Sequence, residues 1–170
     1  MNLPVVPDLI ESIYQALRQR IAERSLSNPM VVGIHTGGAW LAAILQQRLV
    51  DDGLVSGPMG TLDISFYRDD FSRVGLHPKV QPSELPQTPE GRHILLVDDV
   101  IMTGRTIRAA LNVLFELGRP ASVSLITLVD LKAAELPIQA DINGISLKLE
   151  PNQRIKLTGP EPLKLELKKL

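Results

Sequence analysis

One stretch, Ile94 to Thr106, constrains this chain more than any other: Ile-Leu-Leu-Val-Asp-Asp-Val-Ile-Met-Thr-Gly-Arg-Thr. Its four apolar residues read as a buried strand that delivers two adjacent carboxylates, Asp98 and Asp99. After a short hinge, Thr103-Gly104-Arg105-Thr106 opens an amphipathic run in which Ile107, Ala110, Leu111, Leu114 and Leu117 recur at helical spacing. Gly118 is a natural stop for that helix, and Pro120 forbids its continuation. Helix N-termini present unpaired N–H groups and the positive end of the macrodipole, so they attract phosphate. Gly104 lets the backbone come close to a ligand, Thr103 and Thr106 add hydroxyls, and Arg105 adds charge. Asp98 and Asp99 would repel a phosphate, but they can accept hydrogen bonds from sugar hydroxyls or sit close to Mg²⁺. Acids and an anion cradle side by side favour a sugar phosphate over bare phosphate.

Strands alternating with helices extend on both sides of this unit. Asp8 is read as the N-cap of a first helix whose apolar face carries Leu9, Ile10, Ile13, Leu17 and Ile21. Met30 to Ile34 form a short buried strand, His35 to Gly38 a loop, and Ala39 to Leu49 a helix with Trp40, Leu41, Ile44 and Leu45 toward the core. Thr61 to Tyr67 alternate, with Leu62, Ile64 and Phe66 on one face. The following stretch to Arg92 carries Pro78, Pro82, Pro86 and Pro89 and looks irregular, which makes it a functional lid or a disordered loop. Ser122 to Val129 form another buried strand. From Asp130 the chain is expected to leave the parallel core for a small cap, where Arg154–Thr158 and Leu163–Leu167 pair around Gly159-Pro160-Glu161-Pro162. The pattern predicts an α/β fold with a right-handed parallel sheet. Such sheets bind ligands beyond the carboxyl ends of their strands, where the turns after Ile34 and Asp99 both lie.

Composition removes several function classes. A chain of 170 residues with 44% hydrophobic content supports one compact domain with a real core. Without cysteine there is no disulfide framework, thiolate zinc site or cysteine nucleophile, and a reducing cytosol fits. A formal net charge of −1 and 4% aromatic residues argue against nonspecific attraction to nucleic acid and against a base-stacking platform. The start, Met-Asn-Leu-Pro-Val-Val-Pro-Asp, lacks the basic and apolar regions of a secretory signal, and no apolar stretch is long enough to span a membrane. His35 lies beside a tight loop with no second histidine or cysteine at metal-ligand spacing, so it is read as neither base nor ligand.

Val97-Asp98-Asp99-Val100-x-x-Thr103-Gly104-Arg105-Thr106 resembles the phosphoribosyl-diphosphate (PRPP) motif of the type I phosphoribosyltransferases. Gly33-Ile34-His35-Thr36-Gly37-Gly38 resembles their diphosphate loop, and Leu62 to Asp70 their flexible-loop entry. Gly118-Arg119-Pro120-Ala121-Ser122 and Glu135-Leu136-Pro137-Ile138 resemble later landmarks. The similarity runs from about Val31 to Asn143 and more loosely beyond. Tyr67-Arg68-Asp69-Asp70 and Glu135–Ile138 point to the branch of pyrimidine-operon attenuators that are also uracil phosphoribosyltransferases.

This resemblance implies a single domain over residues 1–170: a type I phosphoribosyltransferase fold with a parallel sheet flanked by helices. A flexible lid spans about 68–92 and a small hood about 130–170. The implied reaction converts uracil and PRPP to UMP and diphosphate. Asp98 and Asp99 would hold the ribose hydroxyls, the backbone of Thr103–Thr106 the 5′-phosphate, and Thr36, Gly37 and Gly38 the diphosphate. Mg²⁺ would arrive with the substrate and contact Asp98 or Asp99. Tyr67 and Arg68 begin the lid, with Arg68 a charge clamp on the leaving diphosphate or, nearly equally, a structural ion pair. Asp69 and Asp70 follow as lid residues or a solvated turn. Asp130 and Leu131 fall in the base region. A cytoplasmic homodimer or homotetramer without membrane association is implied.

Two departures stand out. Many members of the branch carry arginine where this chain has Gly37. Asp130 is followed by Leu131-Lys132-Ala133-Ala134, where the family reads Arg-Gly-His-Arg. The lost cations count against RNA attenuation more than against PRPP binding, because RNA affinity depends on phosphate contacts. The alternative function is accordingly a nucleotide-dependent RNA-binding attenuation regulator with little catalysis.

Overall fold

A computed structural model describes residues 1–65 and 83–170. The first helix, α1 (Val6–Glu23), begins earlier than expected. Val5 occupies the N-cap position and a proline stands in the first turn, where its fixed φ suits a helix start and its missing N–H costs nothing. Asp8 therefore lies inside the first turn, near the positive end of the helix dipole, and is not the cap.

β1 (Met30–Ile34) follows, buried throughout. Helix α2 (Gly37–Asp51) takes both loop glycines into its first turn. Its core stripe is Leu41, Ala42, Leu45 and Leu49; Ile44 falls to one side of it and is 37% exposed, contrary to the expected inward position. Trp40 is half-buried and packs at the margin of the core. β2 (Gly60–Leu62) is shorter than the alternating pattern suggested. The Asp63 carboxylate turns back to accept the Ser65 N–H at 2.9 Å and its hydroxyl at 2.6 Å, and pairing stops there. Ile64 remains buried. Phe66 and the lid residues Tyr67, Arg68, Asp69 and Asp70 lie outside the described residues. The chain reappears against the free edge of β2, where Thr61 and Glu84 exchange backbone hydrogen bonds of 2.7 and 2.9 Å.

β3 (His93–Ile101) runs on two residues past the acid doublet instead of ending at it. β4 (Ser122–Asp130) holds it in register to the last residue, with Asp98 opposite Thr127 and Ile101 opposite Asp130. Between them, α3 (Arg105–Leu117) buries Ile107, Ala110, Val113 and Leu114. Each of the buried Ile, Val and Leu side chains contributes roughly 1.5–3 kcal/mol, so a charge at Leu114 would unseat the helix. The chain does not leave the sheet for good at Asp130. It returns as a fifth parallel strand, β5 (Ile142–Ser146), alongside β4. Only then does it form the antiparallel hairpin of β6 (Gln153–Thr158) and β7 (Lys164–Lys169).

The main sheet has the order β2-β1-β3-β4-β5, all parallel. Helices α1 and α2 cover one face, α1 on β4 and β5 and α2 on β1 and β3, while α3 packs with the apolar residues of the other. Strand order reverses between β1 and β3, so their following loops diverge and leave a crevice at the carboxyl ends.

Candidate active site

Both singled-out loops flank this crevice. After β3, Met102 and Thr103 lead into Gly104, whose φ of +91° is a left-handed conformation that favours glycine. The turn is clasped from outside: the Thr103 carbonyl accepts the N–H groups of Glu135 at 2.9 Å and Leu136 at 3.3 Å. Ile138 and Leu136 fill the space beside Gly104. Thr103 Oγ1 accepts the Arg105 N–H at 3.2 Å, and Arg105 Nε donates to Glu135 Oε2 at 3.0 Å. The Glu-Leu-Pro-Ile segment thus braces the turn that opens α3.

The two carboxylates are held by their own strand. Asp98 Oδ1 accepts the Asp99 N–H and Asp99 Oδ1 accepts the Val100 N–H, both at 2.9 Å. Asp98 is buried and Asp99 half-buried. The loop after β1 closes on them. His35 donates its N–H to the Leu62 carbonyl at 2.9 Å, and the His35–Thr36 peptide is cis. A Cβ on Gly37 would stand 2.3 Å from Asp99 Oδ2, and one on Gly38 2.6 Å from the Val97 carbonyl oxygen. Only residues without side chains permit this approach.

A cavity of about 930 Å³ opens above the turn. Asp98, Val100 and all of Thr103–Thr106 line one side of it, and Leu131 and Glu135 another. The roof is the hairpin region: Leu149, Gln153, Arg154 and Ile155. Of the expected site residues, Val97 is wholly buried in the core instead of facing the cavity. His35 to Gly38 and Asp99 are not in the cavity wall; they abut it through Asp98. Asp130 is turned away too: its carboxylate accepts the Lys132 backbone N–H at 2.8 Å and pairs with Lys132 Nζ at 2.7 Å. The roof residues had not been singled out. Their signal was parity, since Gln153 shares a strand face with buried Ile155 and Leu157.

Among the described residues no group of three or more histidine, aspartate or glutamate side chains could hold a metal. The acid doublet still suits a magnesium ion that arrives on its substrate and takes one or two carboxylates, since Mg²⁺ is rarely caged by protein alone.

A five-stranded parallel sheet with paired loops at its switch point, an acid doublet, and a cavity that Asp98 shares with a helix N-terminus defines a phosphoribosyltransferase. The model of the phosphoribosyl transferase domain family matches residues 6–157. The chain is 57% identical over 166 residues to the bifunctional protein PyrR of Pseudomonas putida, covering 98% of this chain and 94% of that one. It is 54% identical over 170 residues to its counterpart in Pseudomonas syringae pathovar tomato, covering 100% and 98%. Among solved structures, the hypoxanthine phosphoribosyltransferase of Trypanosoma cruzi superposes with a TM-score of 0.66 at 21% identity, covering 88% of this chain and 79% of that chain. That of Staphylococcus aureus gives 0.64 at 20%, with the same coverage. At such identities the structural likeness speaks for the fold alone. This chain belongs to the PyrR family of type I phosphoribosyltransferases.

Proposed function

We propose that this protein transfers the phosphoribosyl group of PRPP to uracil, giving UMP and diphosphate, and that it serves the regulation of pyrimidine synthesis as its PyrR relatives do. The observation that carries the reading is a single cavity wall combining Asp98 with the whole Thr103–Thr106 turn. In this reading the first amides of α3 and the two threonine hydroxyls receive the 5′-phosphate, because there N–H groups, hydroxyls and a positive dipole converge on the cavity. Asp98 and Asp99 accept from the ribose hydroxyls and favour positive charge developing at the sugar centre as diphosphate departs. The backbone of Thr36–Gly38 approaches the diphosphate, and Arg68 clamps it from the lid. Magnesium, when bound with the diphosphate, supplies charge neutralisation of the leaving group. The bond made joins the base nitrogen to C1 of the ribose, and a closed site keeps water from competing for it.

The test is a panel of labelled bases with PRPP and Mg²⁺. Label from uracil appears in UMP, and Asp98→Asn abolishes it. No UMP at saturating PRPP from the unmodified protein would overturn the reading.

A nucleotide-dependent RNA interaction is the second reading, favoured by one observation. The outer face of the hairpin places Arg154 opposite Lys168, Thr158 opposite Lys164 and Lys156 opposite Glu166, all exposed except the half-buried threonine. Arg154 and Lys168 are like charges directly opposite, which costs stability; Glu166 offsets part of it by pairing with Lys168 Nζ at 3.6 Å, and a phosphate backbone would relieve the rest. Leu131, Ala133 and Ala134 weigh against it by removing three polar positions at the base of the hood. A gel shift on pyrimidine-operon leader RNA with and without UMP checks it; weak or absent binding is expected, and a nanomolar, UMP-dependent complex would reverse that. With these substrates we assign the protein to the cytoplasm; among the described residues no helix is long and apolar enough to cross a membrane. We assign it a homodimer or homotetramer, to be checked by light scattering.

A further inference from the structure

The roof of the cavity holds a polar, uncharged side chain that the reaction has not used, Gln153. Gln153 opens β6, and strand alternation puts it on the face of Ile155 and Leu157, which are 6% and 2% exposed. An amide in phase with two core residues is out of place unless something polar meets it. Gln153 closes the turn before it twice: its backbone N–H donates to the Glu150 carbonyl, and its Oε1 accepts the Glu150 N–H, both at 2.9 Å. A backbone N–H can bond only to the oxygen of a carboxamide, so the orientation of this side chain is fixed by chemistry. The Nε2 donor is left over, and among the described residues no hydrogen-bond partner for it is found.

The surroundings define what that donor can meet. Leu131 directly follows β4, Leu149 and Pro151 precede the hairpin and Ile155 lies in it, so apolar side chains line the cavity around Gln153, with Arg154 beside it. The phosphate turn and Asp98 line the same cavity. A ligand anchored there by a sugar phosphate extends its base toward the apolar part, where flat rings are held by packing and read by a few fixed polar groups.

We propose that Gln153 reads the base: its Nε2 donates to a ring carbonyl oxygen of an oxopyrimidine, held in that sense by the Glu150 N–H on its other end. A donor at this point selects a carbonyl oxygen over an amino group; at the ring's 4-position, where cytosine carries an amino group, this makes Gln153 a specificity-determining residue for uracil over cytosine, whereas both bases share the 2-carbonyl. This rests on the phosphoribosyl-transfer reading above.

Gln153→Glu is the sharpest test, because it keeps an acceptor for the Glu150 N–H and replaces the donor with a second, charged acceptor, whose charge the neutral Gln153→Leu controls for. The expected result is a KM for uracil raised about tenfold in both variants, the order of effect of losing one hydrogen-bond donor to the base, with the KM for PRPP unchanged within twofold in the neutral Gln153→Leu and raised only by the added charge in Gln153→Glu. In the unmodified protein one of 2-thiouracil and 4-thiouracil is used less well than uracil, because sulfur accepts hydrogen bonds weakly. Gln153→Leu abolishes that particular discrimination and leaves the other analogue's ratio unchanged. A merely structural glutamine would move both analogues, uracil and PRPP together, with a fall in Tm. Unchanged uracil KM in both variants, or equal changes for both substrates, overturns the proposal while leaving phosphoribosyl transfer standing. An unmodified protein that makes no UMP removes the underlying reading and this inference with it.

Discussion

The α-carbon of Gly37 lies directly against the carboxylate of Asp99: a Cβ there would stand 2.3 Å from Oδ2 and 2.8 Å from Cγ. The first residue of α2 and the second acid of β3 therefore cannot both carry side chains in their present places. Asp99 can turn aside, because what collides is the end of a side chain. Gly37→Ala is accordingly expected to spare the fold and displace the acid. Its kcat/KM for PRPP should fall at least about tenfold while Tm drops by less than about 3 °C, the equivalent of roughly 1 kcal/mol. Steady-state kinetics beside calorimetry separate the two; full activity in the alanine variant would mean that the seat of Asp99 is unimportant to the reaction.

One residue further on, the same substitution meets a different neighbour. A Cβ on Gly38 would lie 2.6 Å from the Val97 carbonyl oxygen and 2.9 Å from the Asp98 α-carbon. These are backbone atoms of a strand hydrogen-bonded on both sides, and they have nowhere to go. Gly38→Ala is expected to cost about 2–3 kcal/mol, as overpacking of a close contact does, and to lower Tm by about 5–10 °C. A thermal melt with an unshifted midpoint would show that α2 can slide on the sheet.

Tyr14 offers a pH test far from the site. Its ring is 1% exposed, its hydroxyl donates to the Arg48 carbonyl at 3.0 Å and to the Asp52 carboxylate, and the Arg48 guanidinium lies 4.0 Å above the ring centroid. Burial first, and the Asp52 carboxylate second, push the phenol up to about 12. In the unfolded chain it ionises near its ordinary value of about 10. Between those values the folded protein keeps a proton that the unfolded chain has lost, so stability falls as pH rises from about 10 to about 12. Tyr14→Phe should abolish this part of the alkaline slope, at a cost near neutrality of about 1 kcal/mol for the lost hydrogen bonds. Denaturant midpoints across that window measure it, and identical slopes in the two proteins would count against the assignment.

How much of this could be read from the chain depended on how regular each segment is. β1, β3, β4 and α3 were legible because long apolar runs or a clean helical stripe decide them without help. β5 was not. Ile142-Asn143-Gly144-Ile145-Ser146 has neither an apolar run nor alternation, and it is a strand because β4 and α1 demand one beside them. A Cβ on Gly144 would come 2.7 Å from the Leu128 carbonyl oxygen and 3.2 Å from Leu9 Cβ, so its glycine records a tertiary contact that no local pattern encodes. The phosphate side of the cavity was legible for the opposite reason: Asp98 and Thr103–Thr106 are contiguous in sequence. Its roof gathers Leu131, Leu149 and Gln153 from separate segments, and only the fold brings them together.

Glu135 sets up the last test, because it is a carboxylate on the wall of a cavity proposed to take anions. Its Oε2 accepts from Arg105 Nε at 3.0 Å, while its backbone N–H separately holds the Thr103 carbonyl. The side chain and the main chain thus do different jobs, and a substitution can remove one without the other. With the phosphate bound, Arg105 and Glu135 face a ligand that attracts the first and repels the second. Glu135→Gln keeps the brace on Thr103, keeps a carbonyl oxygen for Arg105, and deletes the competing charge. It should therefore bind PRPP more tightly: KM falls about two- to fivefold, consistent with the 0–1 kcal/mol of an exposed ion pair, with kcat little changed. The gain should shrink as salt is raised, because screening weakens the repulsion in the unmodified protein as well. Looser PRPP binding in the glutamine variant would show instead that the ion pair orders the turn, and that Glu135 assists the anion site by shaping it.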